Sequence, residues 1–227
     1  MTQPTGPADA GWTDISVPIQ PGIPIFEGDP MFRLVRAFTI DSGAICNVSR
    51  IDMGVHTGTH LDAPVHFIEG APASEAIPLD AGIGPAWVVD AVALTGPAIG
   101  AADIASLSIP AGETRLLFKT RNSALWGEQG FQPSFIGLDH GASKALAERG
   151  ARLVGIDYLS VAPFGNAIES HRALLSAGVA ILEGIDLREV EPGPVELMCL
   201  PIRLIGSDGV PARALVRRRA GSGGPSA

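Results

Sequence analysis

The chain is short of most features that would announce a function by class. Its 227 residues hold two cysteines, Cys46 and Cys199, with no motif between them. They read as buried free thiols of a cytoplasmic protein and not as a disulfide framework. Basic charge is also scarce: 16 Lys and Arg stand against 24 Asp and Glu, a net charge of −8. That argues against a nucleic-acid partner, because phosphate binding needs a basic face. No apolar run approaches the roughly 18 residues needed to cross a bilayer, so no membrane partner is expected. Met1 to Trp12 offer no basic start and apolar stretch, and therefore no secretory signal. There is no Gly-x-Ser-x-Gly elbow, and Ser160 in Leu-Ser-Val reads as structural, which disfavours a serine hydrolase. Neither Gly-x-Gly-x-x-Gly nor a P-loop occurs, which disfavours a nucleotide-binding protein.

What the chain does have is concentrated between Val55 and Phe67. Three of its five histidines, His56, His60 and His66, lie there with Asp62 among them. All four occupy even positions, so an extended chain would point them to one side. A helix would not, and Gly58 and Pro64 would weaken it. Imidazole and carboxylate converging in this way suit a divalent metal, with zinc, manganese and iron all chemically acceptable.

Around this stretch the pattern predicts an α/β chain with many strands. Extended segments are expected over Phe32–Ile40, Cys46–Met53 (continuing into the histidines), Ala86–Leu94, Arg115–Thr120, Arg152–Asp157, Val179–Gly184, Glu196–Leu200 with Ile202–Ile205 (one strand interrupted at Pro201), and Pro211–Val216. Helices are expected over Ala101–Leu107, over Leu138–Arg149 with Asp139 capping and Gly150 stopping it, and from a Ser170 cap to Gly178. Arg121 and Asn122 either face a site or end a strand in solvent. His140 reads as a first-turn surface residue. Glu183 is a charge inside an apolar strand, which requires a salt bridge or a metal. Phe26 lies in a Pro-rich stretch, as a pocket wall or as part of a fixed loop. No linker divides the chain: a flexible leader over 1–12, a single domain over 13–216 and a disordered tail over 217–227 are expected.

The run His56-Thr-Gly-Thr-His60-Leu-Asp62-Ala-Pro64-Val-His66 resembles the defining motif of the cyclase family, His-x-Gly-Thr-His-x-Asp-x-Pro-x-His, at every fixed position. The best-known members of that family are bacterial kynurenine formamidases. Gly155-Ile-Asp157, Ser160-Val161, Pro163, His171 and Glu183 resemble its second block, with the histidine and glutamate twelve positions apart in both. The resemblance implies a single mixed β-sheet domain with a β-barrel-like core and flanking helices, the swivelling β/β/α arrangement. It implies that His56, His60 and Asp62 hold one metal ion, and that Asp62, His171 and Glu183 hold a second where two are present. Zinc is the first expectation and manganese the second. His66 becomes the catalytic acid/base and Phe26 a substrate contact. The implied reaction is metal-dependent hydrolysis of a small-molecule amide, such as N-formylkynurenine or, in other members, the cyclic amide isatin. A homodimer or homotetramer is implied, its N-terminal segment helping to complete a neighbour's pocket. Two departures, Phe26 for a tryptophan and Ala162 for an aspartate, bear on substrate identity more than on chemistry. The competing class is a binding protein that keeps the metal for structure. A structural zinc site is closed by four protein ligands, however, and leaves no use for an extra histidine beside it.

Overall fold

The computed structural model describes residues 11–219. Most of the expected leader, up to residue 10, and the segment 220–227 lie outside the described residues. The elements in chain order are β1 (Trp12–Asp14), β2 (Arg33–Phe38), β3 (Val48–Asp52), β4 (His60–Asp62), β5 (Ile83–Asp90), β6 (Ala98–Ile99), α1 (Ala101–Ser106), β7 (Arg115–Lys119), β8 (Gly137–Leu138), α2 (His140–Glu148), β9 (Leu153–Ile156), α3 (Ala167–Ser176), β10 (Ala180–Glu183), β11 (Gly193–Pro201) and β12 (Gly209–Arg218).

Seven strands form a closed ring in the order β12, β11, β5, β7, β9, β10, β4, back to β12. The run from β5 to β10 is parallel, and the remaining pairings are antiparallel. Closure depends on the length of β12. Its first residues pair with β4 and its last residues carry β1 as an eighth strand. The barrel-like core implied by the family resemblance is therefore present.

The period-two alternation of the strands divides the apolar residues between two cores. Leu61, Val88, Leu117, Leu153, Leu182, Leu197 and Val210 fill the ring. Val89, Leu116, Phe118, Val154, Ile156 and Ile181 face outward against Ile104 of α1, Ala142 and Leu146 of α2, and Leu174 and Leu175 of α3. Because Leu61 points inward, His60 and Asp62 must point outward, to the side that α3 covers. Glu183 shares that outer face with Ile181. Directly opposite it across the β4–β10 pair stands His60.

Several local expectations need correction. The segment from Cys46 through the histidines is not one extended run. β3 ends at Asp52, His56 lies in a turn, and Pro64–His66 form a 3₁₀ turn beginning at the proline. Helix α3 starts at Ala167, so Ser170 is not its cap; its hydroxyl donates to Leu138 O instead. Ile202–Ile205 lie outside any strand. Cys46 is exposed and only Cys199 is buried. A disordered tail beginning at Arg217 is not what the described residues show, since β12 runs through Arg218. There Arg217 pairs with Glu196 Oε2 at 2.6 Å and its guanidinium lies 4.7 Å from the centre of the Trp12 ring. Trp12, placed in the leader by sequence, belongs to β1. Asn122 is neither a site residue nor solvated: it is buried and bonds both backbone groups of Ile136.

Candidate metal centre

The site assembles where β4, β10 and α3 meet. On β4, His60 and Asp62 project together. Glu183 is carried by β10, and His171 descends from the middle of α3. The turns before and after β4 add His56 and His66. Their arrival is a matter of turn geometry, because the period-two argument covers only His60 and Asp62. Gly184, with φ +70°, lets the chain leave β10 directly against the Gly58 carbonyl; a Cβ there would stand 2.0 Å from that oxygen. Thr59 ties the same junction, its hydroxyl donating to Gly184 O and accepting from the Val17 amide.

The five side chains expected as ligands converge. His60 Nε2 stands 3.4 Å from both Asp62 Oδ1 and Glu183 Oε2. His171 Nε2 is 3.1 Å from Glu183 Oε1 and 3.6 Å from Asp62 Oδ2. His56 Nδ1 is 3.1 Å from Asp62 Oδ1. Asp62 thus faces three imidazoles at once. The geometry forms two groups that share this aspartate: His60, Asp62 and Glu183, and His56, Asp62 and His66, each with its donor atoms within 4.8 Å of one another. The grouping differs from the one the resemblance implied, since His66 is near enough to share an ion with His56 and Asp62. Its ring stacks on that of His56 with centroids 4.0 Å apart.

The donor set fits a divalent metal, and two atoms point to it in particular. His60 Nε2 and Asp62 Oδ2 are buried with no hydrogen-bond partner. Buried polar atoms rarely go unpaired, because each such atom forfeits its solvation. The opposite ring nitrogens are secured: His60 Nδ1 to Gly58 O at 2.9 Å and His171 Nδ1 to Ala167 O at 2.7 Å. A backbone carbonyl on Nδ1 fixes the tautomer that leaves Nε2 free as a ligand atom.

Electrostatics separates His66 from the rest. Burial works to lower the pKa of His60, but the negative charges of Asp62 and Glu183, each 3.4 Å from its Nε2, overcome this and hold it at about 10. His56 and His171 are raised for the same reason, by Asp62 and by Glu183 respectively. Burial opposes ionisation of Asp62 and Glu183 as well, yet the surrounding imidazoles hold Asp62 well below, and Glu183 below, the ordinary carboxylate range. Among these histidines His66 alone moves down, because burial dominates and the attraction of Asp62 and Glu183 does not offset it.

A cavity of about 300 Å³ opens onto this centre, walled by Phe26, Phe67, Leu159 and Ser160 beside His56, His66, His171 and Glu183. A larger space of about 940 Å³ lies on the far side of Phe26, between Phe131, Phe164, Met31 and acidic residues, and contains none of the histidines. The smaller one is where the chemistry converges. Phe26 lines both, as a ring wedged against Phe131 and Phe164 at 5.2 and 5.8 Å. Ala162 is buried in the helix-side core.

Sequence reasoning missed Asp208. It sits in the turn before β12, with Oδ2 3.0 Å from His56 Nε2 and 3.7 Å from His66 Nδ1. Gly206-Ser-Asp-Gly209 reads as an ordinary turn, and nothing in it signals a partner some 150 residues away.

The sequence model of the family described as "Putative cyclase" matches residues 13–163. The kynurenine formamidase of Salinibacter ruber (strain DSM 13855 / M31) is 34% identical over 206 residues, spanning 90% of this chain and 96% of the relative. A solved structure described as a predicted metal-dependent hydrolase from Bacillus stearothermophilus superposes with a TM-score of 0.78 at 37% identity, covering 92% of this chain and 98% of the other. Isatin hydrolase A from Ralstonia solanacearum gives a TM-score of 0.77 at 22% identity over 92% of each chain, a likeness of fold. Ring closure, histidine run and family model agree, and the chain belongs to this cyclase family.

Proposed function

We infer that this chain is a metal-dependent hydrolase of amide carbon–nitrogen bonds and that its substrate is an N-formyl arylamine, N-formylkynurenine first, giving kynurenine and formate. The observation that carries the reading is the pair of unpartnered ligand atoms, His60 Nε2 and Asp62 Oδ2, beneath a cavity with aromatic walls. The similarity to a kynurenine formamidase over nine-tenths of the chain supports the substrate class.

Because Asp62 Oδ1 faces His56 and His60 while its Oδ2 faces His171, His56, His60 and Asp62 would hold one ion, and Asp62, His171 and Glu183 a second, with His66 left beside them. Zinc is proposed before manganese because imidazole and carboxylate ligands suit both while zinc favours nitrogen. A bound divalent ion supplies a lowered pKa for water and polarises a carbonyl oxygen. The chain's own groups do the rest. His66, the one imidazole of the cluster whose pKa burial leaves below its ordinary value, is held toward the neutral form. It is therefore able to take a proton from the attacking water and return it to the leaving nitrogen. Phe26, Phe67 and Leu159 present apolar walls to an aryl group. The volume of about 300 Å³ lies at the small end of the roughly 300–1,000 Å³ usual for ligand pockets.

Two further elements belong to this reading. The first is a homodimer or homotetramer assembled through the β2–β3 hairpin. Among the described residues that hairpin pairs only with itself; it exposes Leu34, Val35, Phe38 and Ile51, with Ile45 fully exposed in the loop that joins its strands. A lone two-stranded hairpin is marginal in water, so a second copy is the natural cover. The strands carry Arg33, Arg36 and Arg50 against one aspartate, Asp52, while Glu27, Asp29 and Glu128 line the larger space beside Phe26. The second element is a cytoplasmic setting, which suits an exposed free Cys46. No described helix is long and apolar enough to cross a membrane.

The test is turnover of N-formylkynurenine and of isatin by zinc-loaded protein beside a metal-free control. Formate release from the formyl substrate is expected. Opening of isatin alone would move the substrate class to cyclic amides, and turnover of neither by fully loaded protein would contradict the reading.

A further inference from the structure

The Asp208 carboxylate stands between two histidines, on a turn whose backbone is held from several sides. The Asp208 backbone carbonyl accepts from the Ala63 amide at 2.9 Å, and the neighbouring Ser207 carbonyl accepts from the Ser74 amide at 2.9 Å. The Gly206 amide donates to Glu75 Oε2 at 2.9 Å, and the Ser74 hydroxyl donates to Leu204 O at 2.6 Å. The turn is thus fastened to the segment that follows the histidine run, and Gly209 pairs with Asp62 itself. Gly209 also brings the turn under His56. A Cβ on it would lie 2.5 Å from His56 Cε1 and 2.9 Å from both ring nitrogens, so the imidazole rests flat against backbone.

We propose that Asp208 is a positioning residue which fixes the tautomer of His56 and holds the ring of His66 beside it. With Nε2–H donated to Asp208 Oδ2 at 3.0 Å, His56 presents Nδ1 toward Asp62 Oδ1 at 3.1 Å. His60 and His171 do the reverse: their Nδ1 atoms are bonded to backbone carbonyls and their Nε2 atoms face the carboxylates. His56 is therefore the one histidine of the centre that offers Nδ1 to an ion, and the carboxylate that makes it so comes from the opposite end of the chain. The same Oδ2 lies 3.7 Å from His66 Nδ1. That orientation turns the Nε2 edge of His66 away from Asp208. One carboxylate oxygen thereby aligns a ligand and the proposed acid/base in a stacked pair.

The inference rests on the metal reading above, and its test separates the two. Protein labelled with ¹⁵N on the histidine rings is loaded with zinc, and ring-nitrogen correlations are recorded for the wild type, Asp208→Ala and Asp208→Asn. Zinc affinity is measured by chelator competition on the same samples. In the wild type, one bound histidine, assigned as His56 by loss of its signals in His56→Gln, is expected to show metal-bound Nδ1 and protonated Nε2. Asp208→Ala is expected to scramble that pattern and weaken zinc binding about 10-fold. This is the low end of the 10–100-fold usual for such partners, because Asp208 is half exposed. Asp208→Asn keeps an oxygen acceptor and is expected to restore most of the affinity. A His56 bound through Nε2, or an Asp208→Ala protein with unchanged affinity and ring signals, overturns the inference while leaving the metal reading intact. A wild type that binds no zinc overturns both.

Discussion

Asp62 is the residue on which both halves of the proposed centre depend, and Asp62→Asn is the sharpest perturbation of it. The side chain is fully buried and faces His56, His60 and His171 at 3.1, 3.4 and 3.6 Å. Asparagine keeps its size and removes only charge and one ligand oxygen, so a change in metal binding will not reflect a collapsed core. The magnitude follows from linkage. Zinc at about 100 times its dissociation constant stabilises the folded chain by about 2.7 kcal/mol. For a domain of this size each kcal/mol moves Tm by about 2–4 °C, so the wild type should gain about 5–11 °C on loading. Loss of a shared ligand should weaken binding by at least the ~100-fold upper end seen for outer-shell partners. At the same zinc concentration the gain then falls to about 0.4 kcal/mol, or 1–2 °C. Scanning calorimetry with and without zinc reads this directly, and any destabilisation of the metal-free variant cancels in the difference. A wild-type thermal gain in Asp62→Asn would refute the shared-ligand assignment.

Other expectations are independent of that one. His66→Ala should retain zinc while turnover falls roughly 10²–10⁴-fold, and unchanged turnover would remove His66 from the mechanism. Metal-free stability should be greatest between about pH 4.5 and 6.5. The contribution of the raised His60, His56 and His171 is complete below about 6.5 and is lost as pH rises, through about 10 for His60. That of the lowered Asp62 and Glu183 is present above about 4 and is lost as pH falls. Zinc must displace those protons, so its affinity should rise with pH; calorimetry in buffers of different ionisation enthalpy would expose the opposite sign. Truncation after Val216 frees Glu196 and Trp12 from Arg217 and should cost about 1 kcal/mol, since this pair is partly solvated; an unchanged Tm would return the segment to a passive tail. Phe38→Asp combined with Ile51→Asp should yield monomers by light scattering, and a persistent oligomer would place the interface elsewhere.

The legible parts of this protein were those where one residue's chemistry constrains its neighbours. The parallel strands and α2 announced themselves through apolar period, an Asp139 cap that accepts from the Ala142 amide, and Gly150 at φ +82°. A charge in an apolar strand singled out Glu183, which the fold sets opposite His60. The histidine run converges, but strand alternation accounts for only half of it. Alternation aims His60 and Asp62, whereas Pro64 starting a 3₁₀ turn is what brings His66 back. Three features could not be read from local pattern because the cause is remote. Helix α3 begins at Ala167 although Ser170 has the better capping chemistry, and that hydroxyl is bound to Leu138 O across the helix layer. Arg217 is ordered by Glu196 and Trp12. Asp208 gains its meaning only when ring closure places β12 beside β4.

The most direct test of the central claim is to titrate metal-free protein with zinc and follow, in the same samples, bound metal and formate released from N-formylkynurenine. The account predicts negligible release without metal and activity that climbs with metal occupancy of the centre around Asp62 and then saturates. Full formate release by the metal-free protein, indifferent to added zinc, would contradict it.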